Sequence, residues 1–240
     1  MKFSPPLIQA TLLKRYKRFL ADVRFDDGSE TTAHCANPGS MMGLSTPGST
    51  VWLSKSDNPK RKLAWSWELI EVSETLVGVH TGRPNALVAA AINAGEIPEL
   101  IGYETARREV KYGQNSRIDI LLEKVGTPSA YVEIKSVTLS RTPGLAEFPD
   151  SKTSRGAKHM NELAEMAKSG HRAVVFFLVQ RSDCTRMCPA ADIDPVYAQS
   201  LVDAVAAGVE VICYSCKITS EGIDLDGPLD VSLSNSPNTA

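Results

Sequence analysis

Two short segments, Ser116–Leu122 and Val132–Lys135, constrain the fold most strongly because both alternate between apolar and polar residues. Alternation with a period of two predicts β-strands, since successive side chains of a strand point to opposite faces. Asp119 then faces away from the apolar residues of its strand, and Glu133 and Lys135 lie side by side on the second strand. The apolar residues are Ile118, Ile120, Leu122, Val132 and Ile134. If the strands pair, Asp119 and Glu133 lie about 5 Å apart, the spacing of cross-strand neighbours.

Two carboxylates beside a lysine on one sheet face suit a divalent metal ion. Mg²⁺ prefers carboxylate oxygens, and phosphodiester hydrolysis needs a metal-activated water with a cation near the phosphate. The alternative is a solvated salt bridge, because exposed strands often carry glutamate and lysine as partners. We therefore treat Asp119, Glu133 and Lys135 as candidate catalytic residues, to be weighed with the rest of the sequence.

The pattern formed by Asp119, Glu133 and Lys135 resembles the PD-(D/E)xK signature of the restriction-endonuclease-like superfamily, with Ile118 where the signature has proline. Further segments resemble the SfsA family, the sugar fermentation stimulation proteins, in one colinear order up to residue 163. These segments are Phe3–Leu7, Arg15–Val23, Asn37–Met41, Ser116–Asp119, Phe148–Thr153 and Arg155–Leu163. The resemblance implies a bacterial DNA-binding protein linked to the regulation of sugar (maltose) metabolism. It also implies an OB-like barrel ahead of a nuclease-like domain.

The order of predicted elements divides the chain in two. Residues 1–82 carry short alternating segments separated by turn residues, which is typical of a small β-barrel and compatible with an OB-fold. Residues 83–240 alternate between helical and strand patterns, which is typical of a sheet covered on both faces. We predict a two-domain α/β (α+β) protein. It has an OB-like β-barrel over 1–82 and a restriction-endonuclease-like α/β domain with a mixed central sheet over 83–240.

A basic run with aromatic residues, Lys14–Phe19, lies in the predicted barrel. Its positive side chains suit a phosphate backbone, and Tyr16 can stack on a base. The alternative is a solvated basic edge that prevents strand aggregation. The residues of this run that we predict to contact nucleic acid are Lys14, Arg15, Tyr16, Lys17 and Arg18.

A second set of candidates lies on a helix predicted near residues 156–169. At helical spacing Arg155, Lys158, His159 and Glu162 share one face. A solvated polar face is the alternative, and resemblance to the SfsA family favours a functional one. Arg155 and Lys158 then hold phosphates, while His159 and Glu162 orient water or a metal ligand. The predicted nucleic-acid contacts on this helix are Arg155, Lys158 and His159, with Glu162 in support, and Arg117 on the first predicted strand is a further predicted contact.

A third acidic metal ligand is missing from the expected place. Many nucleases of the resembled superfamily add a carboxylate from the helix that precedes the sheet. In this chain that helix offers only alanines at Ala89–Ala91, and Glu104 or Glu109 are the substitutes. Without a third carboxylate, the predicted metal ligands are Asp119, Glu133 and the carbonyl of Ile134. The predicted cofactor is Mg²⁺ (or Mn²⁺).

Composition limits the class of function. Hydrophobic residues make up 42% of the chain and the formal net charge is −2, which excludes a protein coated in positive charge. No signal peptide or membrane-spanning stretch is visible, so we predict a cytoplasmic protein.

We predict non-sequence-specific binding to single- or double-stranded DNA, with Mg²⁺-dependent phosphodiester hydrolysis. The alternatives are a non-catalytic DNA-binding transcriptional regulator that retains the nuclease fold, and a small-molecule-responsive protein of carbohydrate metabolism.

Overall fold

The computed structural model describes residues 1–113 and 116–233. The N-terminal part has the strands β1 (Ile8–Tyr16), β2 (Leu20–Arg24), β3 (Glu30–His34), β4 (Thr50–Lys55), β5 (Trp65–Val72) and β6 (Thr75–Gly78). The remainder has α1 (Arg83–Ala94), a 3₁₀ turn (Pro98–Leu100), β7 (Thr105–Tyr112), β8 (Ser116–Lys124), β9 (Thr127–Val137), β10 (Leu139–Thr142), β11 (Gly144–Phe148), α2 (Ser154–Lys168), β12 (Arg172–Val179), β13 (Cys184–Pro189), α3 (Pro195–Ala206), β14 (Glu210–Thr219), β15 (Gly222–Pro228) and β16 (Asp230–Val231). None of the helices in these ranges is long and apolar enough to span a membrane.

The first five strands form a closed barrel. They pair in the order β3-β2-β1-β4-β5, and contact between His34 of β3 and Ser66 of β5 closes the ring. Alternation along each strand supplies the apolar interior, because every second side chain points inward. The fully buried residues of this core include Leu12, Val23, Val51, Leu53 and Trp67. The small barrel predicted from the sequence is confirmed.

A mixed six-stranded sheet forms the second domain, with the order β15-β14-β12-β9-β8-β7. Strands β9, β12 and β14 are parallel, and the outer strands pair antiparallel. The central strand β12 is almost entirely apolar and buried because both of its faces are covered. One face packs on α1 and the barrel, and the other packs on α2 and α3. The predicted mixed central sheet is confirmed.

The alternation predicted for β8 fails at Ile118. Ile120 and Leu122 pack in the core beneath α1, but Ile118 belongs to the core beneath α2 and α3. On the neighbouring strand Glu109, which lies opposite Asp119 in the register, has a left-handed backbone with φ of 54°. This residue interrupts the regular pleat beside Ile118, so the prediction that the three apolar residues share one face is wrong for Ile118.

Hydrogen bonds fix the barrel to the second domain. The Ser40 hydroxyl donates to the carbonyl of Asp150 at 2.6 Å, and the backbone N–H of Met41 donates to the Asp150 carboxylate at 2.9 Å. The predicted boundary at residues 82 and 83 falls between the end of β6 and the start of α1. The N-terminal ammonium of Met1, however, donates to the carbonyl of Ile223 at 2.6 Å, so the first residues pack on the second domain.

Candidate active site

The pairing of β8 with β9 brings the two predicted acids together. Ile120 lies opposite Val132, so the next positions along the ladder are Asp119 and Glu133. Oδ2 of Asp119 accepts a hydrogen bond from the backbone N–H of Ile134 at 2.7 Å. The pairing thus brings the two carboxylates to neighbouring positions on adjacent strands.

Lys135 lies directly beside Glu133, as the alternation of β9 requires. Its Nζ atom is 2.8 Å from Oε1 of Glu133, and both side chains are buried. A buried lysine and a buried glutamate are rarely tolerated unless they neutralise each other. The solvated salt bridge that the sequence left open is therefore not what the structure shows.

Asn85 is a site residue that sequence reasoning missed. It lies in the first turn of α1, and its amide Nδ2 donates to Oδ1 of Asp119 at 2.7 Å. The helix therefore provides an amide at the site and not the carboxylate expected of the superfamily. The available signal was the break at Gly82–Pro84, because it marks the start of a helix whose next residue is polar.

His159 joins the acid–lysine pair to α2. Its Nδ1 atom makes a short contact with Oε1 of Glu133 and lies 3.4 Å from Nζ of Lys135. Arg155 Nε, one turn earlier on the same helix, donates to His159 Nε2 at 3.2 Å. Because Nε2 accepts this bond, the hydrogen-bond network assigns the ring proton to Nδ1, where it is donated to Glu133. His159 therefore orients Glu133.

The start of α2 sets the direction in which Arg155 and His159 point. The hydroxyl of Thr153 accepts a hydrogen bond from the N–H of Gly156 at 3.0 Å, which is an N-cap interaction. The backbone N–H of Thr153 in turn donates to Asp194 at 2.7 Å. The helix therefore begins at a fixed point beside the sheet.

The two carboxylates have different electrostatic environments. Burial and the nearby charge of Glu133 together raise the pKa of Asp119 to about 6. Burial also acts to raise the pKa of Glu133, but the His159 hydrogen bond and the Lys135 charge outweigh it and lower that pKa. Glu133 is therefore ionised at all physiological pH values, whereas Asp119 titrates near pH 6. Carboxylate pairs whose pKa values are separated in this way are frequent in active sites.

Some buried polar atoms around Glu133 have no hydrogen-bond partner among the described residues. They include Oε2 of Glu133, both carboxylate oxygens of Glu162 and the hydroxyl of Tyr112. Glu162 forms an ion pair with Lys158, whose Nζ lies 3.6 Å from Oε1, a distance too long for a hydrogen bond. Burial and the charge of Glu133 raise the pKa of Tyr112 well above its usual value, so its hydroxyl stays protonated. Unpartnered buried carboxylate oxygens are costly, and a cation or water offsets that cost.

The donor set available to a metal ion is small. In residues 1–113 and 116–233, no group of three or more His, Cys, Asp or Glu side chains is arranged to hold a metal. Glu104 lies at the far end of the strand pair, where its N–H bonds to the carbonyl of Glu123. Glu109 lies opposite Asp119 and is exposed. The unpartnered Oε2 of Glu133 is the feature that best fits a divalent cation.

The basic run of the barrel divides into residues with different surroundings. Nζ of Lys14 pairs with Asp22 at 3.3 Å, and the hydroxyl of Tyr16 donates to the same carboxylate at 3.1 Å. Arg15 donates to three backbone carbonyls of the loop that docks on Asp150. Those carbonyls belong to Asn37, Gly39 and Ser40. Arg15 therefore holds this loop in place.

The turn between β1 and β2 extends the basic run toward the site. Lys17 and Arg18 lie in this turn, are exposed, and have positive φ angles of 47° and 65°. Arg18 lines a cleft of about 500 Å³ between the two domains. Lys135 and Ile134 line the same cleft from the opposite side. Arg18 is thus the residue of the run that the structure brings to the candidate site.

A second cavity, of about 420 Å³, lies on the other side of the Glu133–Lys135 pair. It is lined by residues of β7, β8 and α2, and His159 forms its boundary with the site. The lining residues are Glu109, Ser116, Arg117, Arg155, Lys158 and His159. Arg117 therefore meets Arg155, Lys158 and His159 of α2 in one place.

Comparisons with known proteins agree with this architecture. The domain family described as "SfsA N-terminal OB domain" matches residues 13–79, and the "Sugar fermentation stimulation protein RE domain" matches residues 82–222. The predicted OB-like barrel and restriction-endonuclease-like domain are thereby confirmed.

Full-length relatives show the same similarity. The chain is 57% identical over 233 residues to a sugar fermentation stimulation protein homolog of Paramagnetospirillum magneticum, covering 97% of this chain and 98% of that protein. The homolog of Rhodospirillum centenum is 58% identical over 232 residues, covering 97% and 100% of the two chains. Among solved structures, SfsA of Pyrococcus furiosus in complex with Ca²⁺ has a TM-score of 0.88 at 28% identity, covering 97% and 98%.

Proposed function

The chain belongs to the SfsA family, and from that premise and the site geometry we propose that it binds DNA and hydrolyses phosphodiester bonds with a divalent metal ion. One observation carries the proposal. Glu133 is held by Lys135 and His159 through one carboxylate oxygen, while the other oxygen is buried without a hydrogen-bond partner in the described chain. Asp119, on the neighbouring strand, supplies the second carboxylate.

The proposed metal ligands are Asp119, Glu133 and the carbonyl of Ile134. Mg²⁺ or Mn²⁺ bound there would polarise a phosphoryl oxygen and lower the pKa of a bound water. The Pyrococcus furiosus relative is a complex with Ca²⁺, which also prefers oxygen ligands and so supports a divalent cation in this fold. Because only two side chains contribute charge, we expect weak metal binding that strengthens when substrate phosphate adds its own oxygens.

The remaining residues act on Glu133 and on the substrate. Lys135 neutralises Glu133 in the absence of substrate. The residue also lines the interdomain cleft, and we assign its ammonium to stabilising the negative charge that develops on a phosphate. His159 donates its Nδ1 proton to Glu133, so that the carboxylate keeps one orientation. Arg155 holds the histidine in this tautomer. We assign Lys135 to catalysis, and His159 and Arg155 to positioning.

DNA is the proposed partner because cationic residues surround both cavities. They are Arg18 on the barrel turn and Arg117, Arg155 and Lys158 beside α2. Phosphate contacts made by arginine and lysine carry no sequence information, so we propose non-sequence-specific binding that weakens with salt. A DNA partner is in keeping with the cytoplasmic location predicted from the sequence, which stays a prediction.

One observation favours the alternative of a non-catalytic DNA-binding regulator. The described chain has no cluster of three metal-binding side chains, and α1 offers an amide where a third carboxylate is expected. A site reduced in this way can hold DNA without cutting it. The family's link to sugar metabolism suits this alternative equally well.

The decisive experiment compares wild-type protein with Asp119→Ala on single- and double-stranded DNA, in Mg²⁺, Mn²⁺ and EDTA. We expect metal-dependent cleavage by the wild type and none by the variant. DNA affinity should be kept or increased, because the substitution removes a negative charge that repels phosphate. Lys124→Ala, at the exposed far end of β8, is the control and should leave both properties unchanged. If no divalent metal supports cleavage and EDTA leaves DNA binding unaltered, the proposed hydrolysis is wrong and the non-catalytic DNA-binding regulator is the better account of the protein.

A further inference from the structure

We infer that the cleft between the barrel and the nuclease-like domain binds one single strand of DNA, and that Arg18 and Lys152 make the protein prefer single strands over duplex. The inference rests on the proposed function in one respect, which is that the bound polymer is DNA. Its own support comes from the shape, depth and charge of the cleft.

Both domains build the cleft. The barrel side includes Arg18 and the loop residues 37–39, and the opposite side includes residues 134–136 and the segment 147–153. The bonds from Ser40 and Met41 to Asp150 join the two sides at one edge. The cleft therefore exists only because the two domains are docked.

The size and depth of the cleft favour a single strand. Its volume of about 500 Å³ lies in the range of about 300–1,000 Å³ typical of pockets for one small ligand, so it accommodates roughly one nucleotide. Lys135 and Glu133, on the site side, are only 9% and 3% exposed. Duplex DNA is stiff over a persistence length of about 150 base pairs and cannot bend into such a space. A flexible single strand can bring its phosphate to Lys135.

The charges in the cleft favour a polyanion. Arg18 and Lys152 are exposed, and neither forms an ion pair within the described part of the chain. The two carboxylates that also line the cleft are already engaged. Glu147 is paired with Arg141, and Asp150 accepts the Met41 N–H. The cations on the two sides are therefore available to a phosphate backbone.

The backbone conformation of the turn that carries Arg18 also supports a ligand-binding role for this turn. Left-handed φ angles are uncommon for residues other than glycine, and they cost about 1–2 kcal/mol per residue. Lys17 and Arg18 both adopt them, where glycine or asparagine would fit with less strain. Strain of this kind is frequent at ligand-binding positions. It here places a long cationic side chain over the cleft.

The test measures binding in EDTA, so that cleavage does not interfere. Fluorescence anisotropy with a labelled thymidine oligonucleotide of about 12 nucleotides, and with the matching duplex, covers the usual site size of about 4–16 nucleotides. We expect the single strand to bind about tenfold more tightly than the duplex at equal salt. Arg18→Asn removes the charge and keeps a residue that tolerates the left-handed backbone. Lys152→Ala removes the second cation.

Each variant should weaken single-strand binding about three- to tenfold and reduce the salt slope by about 1, with a smaller effect on duplex. Lys124→Ala should change neither affinity, and thermal unfolding should show that all variants are folded. Equal or tighter binding of duplex, or equal losses on both forms, would overturn the inference. If cleavage is metal-dependent but the duplex is preferred, the single-strand inference is wrong and the proposed hydrolysis stands. If the single-strand preference depends on Arg18 and Lys152 but no metal supports cleavage, the proposed hydrolysis is wrong and the single-strand inference stands.

Discussion

Asn85 and Asp119 are joined by a 2.7 Å hydrogen bond that ties the first turn of α1 to the centre of the candidate site. The other oxygen of Asp119 accepts the N–H of Ile134. Both oxygens of this carboxylate are therefore oriented by the protein before any metal or substrate arrives. The amide of Asn85 occupies the place where a third acidic ligand was expected.

Asn85→Asp should convert the site into one with three carboxylates. We expect affinity for Mn²⁺ at pH 7.5 to rise about tenfold, because a third charged oxygen is added, measured by isothermal titration calorimetry. In EDTA the same variant should be less stable, since two neighbouring carboxylates repel each other. Asn93→Asp, an exposed position on the same helix, is the matched control. Unchanged metal affinity in Asn85→Asp would show that the metal does not bind at Asp119.

Asp119 should destabilise the metal-free fold at neutral pH. Its pKa is raised from 3.8 to about 6, so between these pH values the folded protein holds more of this proton than the unfolded chain. The stability contribution of this group therefore falls as pH rises from 3.8 to 6 and stays low above pH 6. A shift of two pKa units corresponds to about 3 kcal/mol, and the partial exposure of the side chain reduces our expectation to about 1–2 kcal/mol.

Asp119→Asn should accordingly raise the free energy of unfolding by about 1–2 kcal/mol at pH 7.5 in EDTA, with the gain shrinking toward pH 4. The Asn85 side chain can rotate so that its amide oxygen accepts a hydrogen bond from the new amide N–H at position 119. The other atom of the new amide, its oxygen, still accepts from the N–H of Ile134, so both hydrogen bonds are kept. Urea denaturation across this pH range measures the effect, with Asp57→Asn as an exposed control. A variant that is less stable than wild type at pH 7.5 would contradict the prediction. Added Mn²⁺ should stabilise the wild type more than the variant.

The sequence predicted the elements that depend on local pattern. Alternation placed Glu133 and Lys135 side by side because side-chain direction along a strand is fixed by the backbone, and the pairing of β8 with β9 brings Asp119 beside them. Helical spacing likewise placed Arg155 and His159 on one side of α2. The family resemblance supplied the OB-like barrel, which periodicity alone could not distinguish from other small barrels.

The contacts that the sequence did not reveal depend on tertiary packing. Asn85 lies 34 positions before Asp119 in the chain, and no local pattern indicates that their side chains meet. The helical pattern left open whether the face carrying His159 is solvated or functional, and docking of α2 on the sheet buries His159 against Glu133. The cleft at Arg18 requires two docked domains, and their relative placement is not encoded in either domain's periodicity.

Gly39 should be essential for the docking of the two domains. A Cβ atom at this position would overlap the carboxylate of Asp150, which is held by the Met41 N–H. We expect Gly39→Ala to lower the free energy of unfolding by about 1–3 kcal/mol, as overpacked sites do, and to weaken single-strand binding. Gly227→Ala, where a Cβ meets nothing within 4 Å, is the control and should be close to neutral in urea denaturation. A stable Gly39→Ala variant with unchanged affinity would show that the loop can move without affecting the cleft.

His159 should act by orienting Glu133, and two amide substitutions can separate this role from simple packing. The side-chain amide of asparagine can place an N–H near the position of Nδ1, so His159→Asn retains a donor to Glu133. Glutamine places its amide near Nε2, so His159→Gln retains the Arg155 contact and loses the donor to Glu133. Loss of an orienting partner typically costs about 10–100-fold in metal affinity. We therefore expect Mn²⁺ binding, measured by calorimetry, to fall about that much in His159→Gln and His159→Ala, and much less in His159→Asn. Equal losses in all three folded variants would mean that His159 only fills space beneath Glu133.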